Sequence, residues 1–183
     1  FSGWEELREI ITMGLPSGMQ AVFMSISSLL IQYSINSFGA DAAAGMVVFA
    51  RVEGFLYYPA FSYGMALTGF IGQNYGAHRM DRVKEGMKES VITLSAFTVM
   101  ASVILMAAAP VILKLFTTDP EILANGRQAI FCIFPFYFLY SINQVYIGGL
   151  KGLGKTGFPM LCSLLCYCIF RVVWCRILLL FFW

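Results

Sequence analysis

The sequence predicts an all-α membrane protein, a bundle of about five transmembrane helices, and three observations carry this prediction. Hydrophobic residues make up 59% of the chain and charged residues only 12%, whereas soluble domains are about 45–50% apolar and about 25% charged. Apolar runs long enough to cross a hydrocarbon layer about 30 Å thick recur along the chain. The charged residues collect mainly in the short segments between those runs. We therefore expect one membrane lobe across residues 1–183, with spans at roughly 12–36, 42–74, 86–114, 121–149 and 157–181.

The first span lies in a run from Ile10 to Ala40 that contains no charged residue. Its polar side chains, Gln20 and Gln32 among them, are costly against lipid, so we expect them to face a cavity or a neighbouring helix. The second span contains Pro59, where a missing backbone N–H predicts a bend.

The last three spans are each preceded by polar or charged residues. A charged segment, HRMDRVKEGMKE, is expected to start the third helix. Thr118 and Glu121 have the spacing of a capping box, which predicts the start of the fourth helix. The fifth span carries Arg171 and Arg176.

The distribution of basic residues predicts the orientation of the spans, because Lys and Arg accumulate in cytoplasmic loops. Only Lys114 and Arg127 fall on the side opposite the N-terminus. The loops on the N-terminal side hold Arg8, Arg79, Arg82, Lys84, Lys88, Lys151 and Lys155. We therefore expect a multi-pass protein of the cell inner (plasma) membrane with the N-terminus of this chain in the cytoplasm.

Glu53 lies inside the second apolar run, about 16 Å from Ala42 if the run is helical. A carboxylate near the bilayer middle is by default a candidate for a transport pathway or a proton relay, and a structural ion pair is the alternative. Arg51 and Arg171 are predicted at similar depth and are its candidate charge partners. Of the two, Arg171 is the better one, because Arg51 projects about 200° away from Glu53 around the same helix. We predict Arg171 to face the bundle.

Aromatic and amide side chains on the second and fourth spans predict a substrate cavity. Rings bind flat aromatic cations by stacking and cation–π contacts, although packing and lipid contact are the commoner uses of such rings in membranes. The cavity candidates on these two spans are Tyr57, Tyr58, Phe136, Tyr140 and Asn143, and Gln20 and Gln32 are those of the first span.

Several other functions are disfavoured by the sequence. The segment from Gly149 to Thr156 fits the pattern of a nucleotide-binding loop, but that loop needs a preceding strand and here it lies between two apolar spans. The five cysteines fall in apolar runs and the one His in a loop, so we predict no metal site and no cofactor. Five spans leave few residues outside the membrane for catalysis, so we predict no enzyme activity. A net charge of +2 gives no reason to expect a nucleic-acid partner.

Four segments together resemble the C-terminal half of transporters of the multidrug and toxic compound extrusion (MATE) family. They are WEELREIITMGLPSGMQ, ARVEGFLYYPAFSYGMALTGFIGQNYGA, LFTTDPEI and GGLKGLGKTGFPM. The resemblance implies one lobe of a two-lobe, twelve-helix transporter, with this chain contributing helices seven to eleven. It also implies efflux of cationic or aromatic drugs in exchange for protons or sodium ions. The N-terminal lobe, small-molecule drugs and the lipid bilayer are then the expected partners, and the chain is expected to be a piece of a longer protein.

The resemblance has departures that bear on the coupling ion. In the sodium-coupled branch of the family this lobe carries two carboxylates, and the matching positions here are Met24 and Tyr140. If a carboxylate binds the coupling ion, it is then either Glu53 or a residue of the N-terminal lobe. A flippase of lipid-linked oligosaccharides, which is similar in architecture, is the alternative function. It would need a cavity lined by cations, for which the spans offer only three arginines.

Overall fold

The computed structural model describes residues 3–174 and residue 177, and the described chain is helical with short turns between the helices. The prediction of an all-α membrane fold is confirmed. Six α-helices occur in the order α1 (Gly3–Asn36), α2 (Ala40–Gly76), α3 (Met80–Lys114), α4 (Pro120–Ile133), α5 (Tyr137–Gly152) and α6 (Gly157–Ser163). A 3-10 turn, Phe134–Phe136, joins α4 to α5, and a π-helical segment, Leu164–Phe170, continues α6.

Four helical stretches of the described chain have the length and apolar composition needed to cross a membrane: Glu6–Asn36, Met80–Lys114, Pro120–Gly152 and Gly157–Trp174. The long helix α2 is not among them, because Arg51, Glu53 and its tyrosines lower the mean hydropathy of its middle. That α2 crosses the membrane stays a prediction. The helix runs without a break through Pro59.

The described residues form two compact units. The terminal unit combines residues 3–37 with the described residues from 154 onward, and the central unit spans residues 38–153. Each has its own polar contacts and its own packing.

The terminal unit pairs α1 with α6 and the π-helical segment through hydrogen bonds at three levels. Gln20 Nε2 donates to Ser163 Oγ at 2.8 Å, and Cys168 Sγ donates to the carbonyl of Phe23 at 3.0 Å. The hydroxyl of Ser27 donates to the carbonyl of Tyr167 inside the π-helical segment. These hydrogen bonds join apolar helices, which is the packing role expected for polar side chains in membrane helices. Among the described residues Gln20 Oε1 is buried and has no hydrogen-bond partner.

In the central unit α2 packs against α3, α4 and α5. Its contact with α5 is close because glycines face each other across it. A Cβ atom at Gly64 would lie 3.0 Å from the carbonyl oxygen of Gln144. One at Gly152 would lie 2.7 Å from the carbonyl oxygen of Thr68. Thr68 Oγ1 lies 3.1 Å from the carbonyl oxygen of Gly148 and donates to it, so small residues hold the two backbones together.

The start of α4 corrects the predicted capping box. Asp119, and not Thr118, is the N-cap residue, and its Oδ1 accepts from the backbone N–H of Glu121 at 2.9 Å. Pro120 occupies the first helical position, where its missing N–H costs nothing. A proline keeps the residue before it extended. That residue is Asp119, which therefore becomes the N-cap, and Thr118 lies one residue before it.

The predicted fourth span is broken near its middle. Helix α4 ends at Ile133, and α5 begins at Tyr137 after the 3-10 turn. Pro135 lies in this turn and has no N–H to donate to the carbonyl four residues earlier, which accounts for the break. The apolar pattern continues through it, so hydrophobicity alone did not reveal it.

Candidate functional site

A carboxylate and a hydroxyl from two helices meet inside the central unit. Glu53 lies in the first half of α2 and is half-buried. Tyr137, the first residue of α5, is 5% exposed, and its hydroxyl donates to Glu53 Oε1 at 3.1 Å. The 3-10 turn determines where α5 begins and so directs Tyr137 toward α2. The candidate coupling residue therefore has a hydrogen-bond donor from the broken span.

A row of rings continues from this pair, and we call Tyr137, Tyr140, Tyr57 and Phe61 the aromatic row. The rings of Tyr137 and Tyr140 lie 5.3 Å apart and are tilted by 52°. Tyr140 stacks on Tyr57 of α2 at 5.6 Å, and Tyr57 stacks on Phe61 at 5.9 Å with the two rings nearly parallel. Aromatic pairs at such distances stabilise each other beyond the area that they bury. The row joins α2 and α5, as expected for rings on the second and fourth spans.

One end of the row rests on the hydrophobic core. Phe134 is fully buried, and its ring lies 6.0 Å from that of Tyr137 and 5.9 Å from that of Phe49. Leu56 and Ile130 are buried in the same cluster. The carboxylate of Glu53 thus lies beside a packed apolar cluster and is not on an open surface.

Gln144 orients the middle of the row. It lies one helical turn after Tyr140 and is buried, with 9% of its surface exposed. Its Nε2 donates to the hydroxyl of Tyr140 at 2.8 Å, which holds that ring against Tyr57. Residues 137, 140 and 144 follow the three-to-four-residue spacing of one helix face.

The predicted site residues divide between the two units. Glu53, Tyr57 and Tyr140 come together in the central unit, and Tyr58 touches the row edge-on through Tyr57 at 5.4 Å. The ring of Phe136 is 65% exposed and that of Tyr58 is 68% exposed. Asn143 is half-buried on α5.

The two amides of the first span lie in the terminal unit. Gln20 is buried against Ser163, which is the packing role that the sequence left open for it. Gln32 is exposed, and its Nε2 donates to Asn36 Oδ1 at 3.0 Å within α1. Their place in a substrate cavity stays a prediction.

The predicted charge partners of Glu53 are both exposed. Arg51 lies on the outside of α2, in agreement with its angular separation from Glu53. Arg171 follows the π-helical segment and is exposed as well. Arg176 lies outside the described residues. An arginine partner for Glu53 stays a prediction, and one partner that the structure describes is the hydroxyl of Tyr137.

Two members of this site, Tyr137 and Gln144, were missing from the residues selected on sequence. Tyr137 is one of many aromatic residues in its span, and no local pattern marks it as the neighbour of Glu53. The signal that was available is the shared face of residues 137, 140 and 144. That shared face identifies Tyr137 and Gln144 as neighbours of Tyr140 only when α5 is known to begin at Tyr137.

The nucleotide-loop pattern coincides with a helix end and a turn. Helix α5 precedes it where a strand is required, and Gly154 forms the turn with φ of +76°. That backbone region favours glycine, because a side chain would be strained there. Among the side chains that the structure describes, no cluster of His, Cys, Asp and Glu has the arrangement of a metal site.

Comparison with known proteins identifies a family whose sequences resemble this chain. The family model described as MatE matches residues 16–177, which is most of the chain. The matched region includes the whole central unit and therefore Glu53 and the aromatic row.

Individual relatives agree with this match. The chain is 27% identical over 158 residues to a protein of Thermotoga maritima named "Probable multidrug resistance protein NorM", covering 86% of this chain and 34% of the relative. It is 25% identical over 168 residues to "Probable multidrug resistance protein YpnP" of Bacillus subtilis, covering 92% of this chain and 38% of the relative. The chain thus spans about a third of the length of the curated relatives it matches.

Proposed function

The chain belongs to the MatE family, and from this membership we propose that it is part of a secondary active transporter that exports several drugs, mainly cationic or aromatic ones. Inward movement of protons or sodium ions drives the export, and no cofactor or catalytic step is involved. The names of the relatives, which refer to multidrug resistance, support this proposal. The observation that carries it is the aromatic row ending at a half-buried carboxylate.

The aromatic row suits flat, positively charged molecules. Tyr57 and Tyr140 offer ring faces from two helices, and each cation–π contact contributes about 0.5–2 kcal/mol. Glu53 supplies a negative charge that a neutral cavity would lack. Phe136, Tyr58 and Asn143 complete the proposed cavity on the same two spans.

We assign ion coupling in this lobe to Glu53. A carboxylate that binds a proton or a sodium ion changes its charge and its hydrogen bonds, so ion binding there alters the neighbouring helices. The structural alternative is an ion pair with a neighbouring arginine.

The rest of the proposed transporter is an N-terminal lobe that binds to this one. Transporters of this kind alternate access by rocking one repeat against the other around a site near the bilayer middle. The excess of basic residues on the N-terminal side of the spans supports a position in the inner membrane with a cytoplasmic N-terminus.

The test is Glu53→Gln in the full-length transporter, expressed in an efflux-deficient bacterium. We expect ion-driven efflux of a fluorescent cationic dye to fall at least tenfold while expression and dye binding persist. Glu89→Gln, an exposed carboxylate on α3, is the matched control and should transport normally. Addition of a protonophore or removal of sodium identifies the coupling ion.

Other outcomes separate the alternatives. Loss of expression or thermal stability in Glu53→Gln would assign the residue to a structural pair. Unchanged efflux would remove Glu53 from the mechanism. Flipping of lipid-linked oligosaccharide in proteoliposomes, without dye efflux, would replace drug export by the flippase function.

A further inference from the structure

Tyr137 lies where the 3-10 turn of the broken span passes into α5. The 3-10 turn Phe134–Phe136 ends at it, and its backbone N–H donates to the carbonyl of Phe134, three residues earlier. Pro135 contributes no N–H to this region. The junction between α4 and α5 thus has fewer regular helical hydrogen bonds than the helices on either side.

The side chain of the same residue fastens this junction to α2. Its hydroxyl donates to Glu53 Oε1, and its ring packs between those of Phe134 and Tyr140. Tyr137 is therefore in contact with the carboxylate, the core and the aromatic row at once. A hydrogen bond to a charged acceptor is about twice as strong as one between neutral groups. This bond accordingly holds a weak point of the span in place.

Charged side chains are sparse on the helices around Glu53 in the described central unit. Helix α3 has no ionisable side chain between Glu89 and Lys114. Arg51 on α2 and Arg127 on α4 are exposed, and the ring of Phe131 covers the guanidinium of Arg127. Tyr57 and Tyr140 are the other titratable groups that interact with Tyr137 beside Glu53. A change of charge on Glu53 therefore acts strongly on the Tyr137 hydroxyl.

We propose that Tyr137 is a positioning residue that links the ion-binding state of Glu53 to the break between α4 and α5. When Glu53 takes up a proton or a sodium ion, its carboxylate becomes a weaker acceptor and the bond to Tyr137 is released. Helix α5 can then shift at the 3-10 turn and carry Tyr140 and Gln144 with it. The aromatic row changes shape in the same step. This inference deepens the proposed function and rests on it for the link to transport.

The direct test measures backbone hydrogen–deuterium exchange of the full-length protein in lipid nanodiscs. Tyr137→Phe keeps the ring and removes the donor, and we expect exchange over residues 134–141 to accelerate roughly tenfold, as for loss of a hydrogen bond to a charged group. Tyr146→Phe is the control, because Tyr146 lies on the same helix with 55% of its surface exposed. It should exchange like the wild type.

A double variant shows whether the two residues act through one bond. Glu53→Gln leaves a neutral and weaker acceptor, so exchange should accelerate less than in Tyr137→Phe. The variant with both substitutions should exchange no faster than Tyr137→Phe alone, because contacting residues are not additive. The proposal would be overturned if the exchange rate of Tyr137→Phe equalled that of the wild type. It would also be overturned if the acceleration in the double variant equalled the product of the accelerations in the two single variants.

Dye efflux kinetics give a second, independent readout. Tyr137→Phe retains the ring that contacts the aromatic row, so the KM for dye should stay within twofold while kcat falls roughly tenfold. A raised KM with unchanged kcat would mean that Tyr137 only lines the drug site, which contradicts the link. If the wild type shows no efflux, the proposed function fails, and the exchange experiment still decides whether Glu53 and Tyr137 hold the junction.

Discussion

Tyr140 performs two separable tasks in the central unit. Its ring stacks on Tyr57 of α2, and its hydroxyl accepts a hydrogen bond from Gln144 of α5. The ring supplies the surface on which a flat cation would lie, whereas the hydroxyl orients that ring. Substitutions that remove one of these without the other can therefore distinguish binding from orientation.

At Tyr140 we expect the ring to dominate drug binding. Tyr140→Leu removes the stacking surface, and the KM for a cationic aromatic dye should rise about 2- to 30-fold, corresponding to the 0.5–2 kcal/mol of a cation–π contact. Tyr140→Phe retains the ring and should raise the KM less than about twofold. Dye efflux at graded concentrations measures both.

The control for this prediction is Phe55→Leu. Phe55 is an aromatic residue of the same helix as Tyr57, and 62% of its surface is exposed. Its substitution should leave the KM unchanged. Equal effects of Phe55→Leu and Tyr140→Leu would show that general hydrophobicity, and not the aromatic row, determines affinity.

At the scale of the helices, the position of the row depends on how closely α2 approaches α5. A Cβ atom added at Gly148 would collide with the backbone of Gly64. Backbone atoms cannot move aside as the end of a flexible side chain can. The glycines therefore bring Tyr57 and Tyr140 within stacking distance.

Gly148→Ala should separate the two helices and destabilise the protein by about 1–3 kcal/mol, the usual cost of overpacking. Gly69→Ala is the matched control, since a Cβ atom there meets nothing within 4 Å. In a helix it should be neutral or stabilise by about 0.5–1 kcal/mol. Thermal unfolding of the full-length protein in detergent compares the two, and equal behaviour would contradict the close contact.

The start of α4 offers a second test at the same scale. Asp119→Ala removes the acceptor for the first backbone N–H groups and should cost about 1 kcal/mol. Thr118→Ala should be nearly neutral, because Thr118 is not the N-cap residue. A larger loss of thermal stability in Thr118→Ala than in Asp119→Ala would support the capping box predicted from sequence.

For the whole molecule, the greater length of the relatives predicts that this chain does not transport by itself. The chain covers about a third of each relative compared, while exchange of access between the two sides of the membrane needs two repeats. One repeat has no partner against which to rock. In the proposed transporter, the transport cycle therefore needs the second lobe.

Residues 1–183 expressed alone should not export drugs. Cells that express only this chain should accumulate a fluorescent dye as fast as cells with an empty vector, provided that the chain is present in the membrane fraction. The full-length protein serves as the positive control. Dye efflux above the empty-vector level from residues 1–183 alone would refute the need for a second lobe.

Much of the fold could be predicted because it depends on local composition. Long apolar runs separated by charged turns place the helices, and the turns at residues 37–39, 77–79, 115–119 and 153–156 fall between the predicted spans. The irregular parts could not be predicted in this way. The 3-10 turn and the π-helical segment both lie within unbroken apolar sequence. Their hydrogen bonds shift by one residue without any change in hydrophobicity.

The sequence by itself determined the membrane class, the family and the presence of a carboxylate, Glu53, within an apolar run, because hydrophobicity, motif order and charge are properties of the chain. The tertiary structure alone decided which side chains surround that carboxylate. Tyr137 lies far from Glu53 in the sequence and meets it only because the 3-10 turn sets the start of α5 and the glycines of α2 and α5 allow close packing. Contacts between distant residues depend on where helices begin and how closely they approach, and neither quantity is encoded in any one local segment.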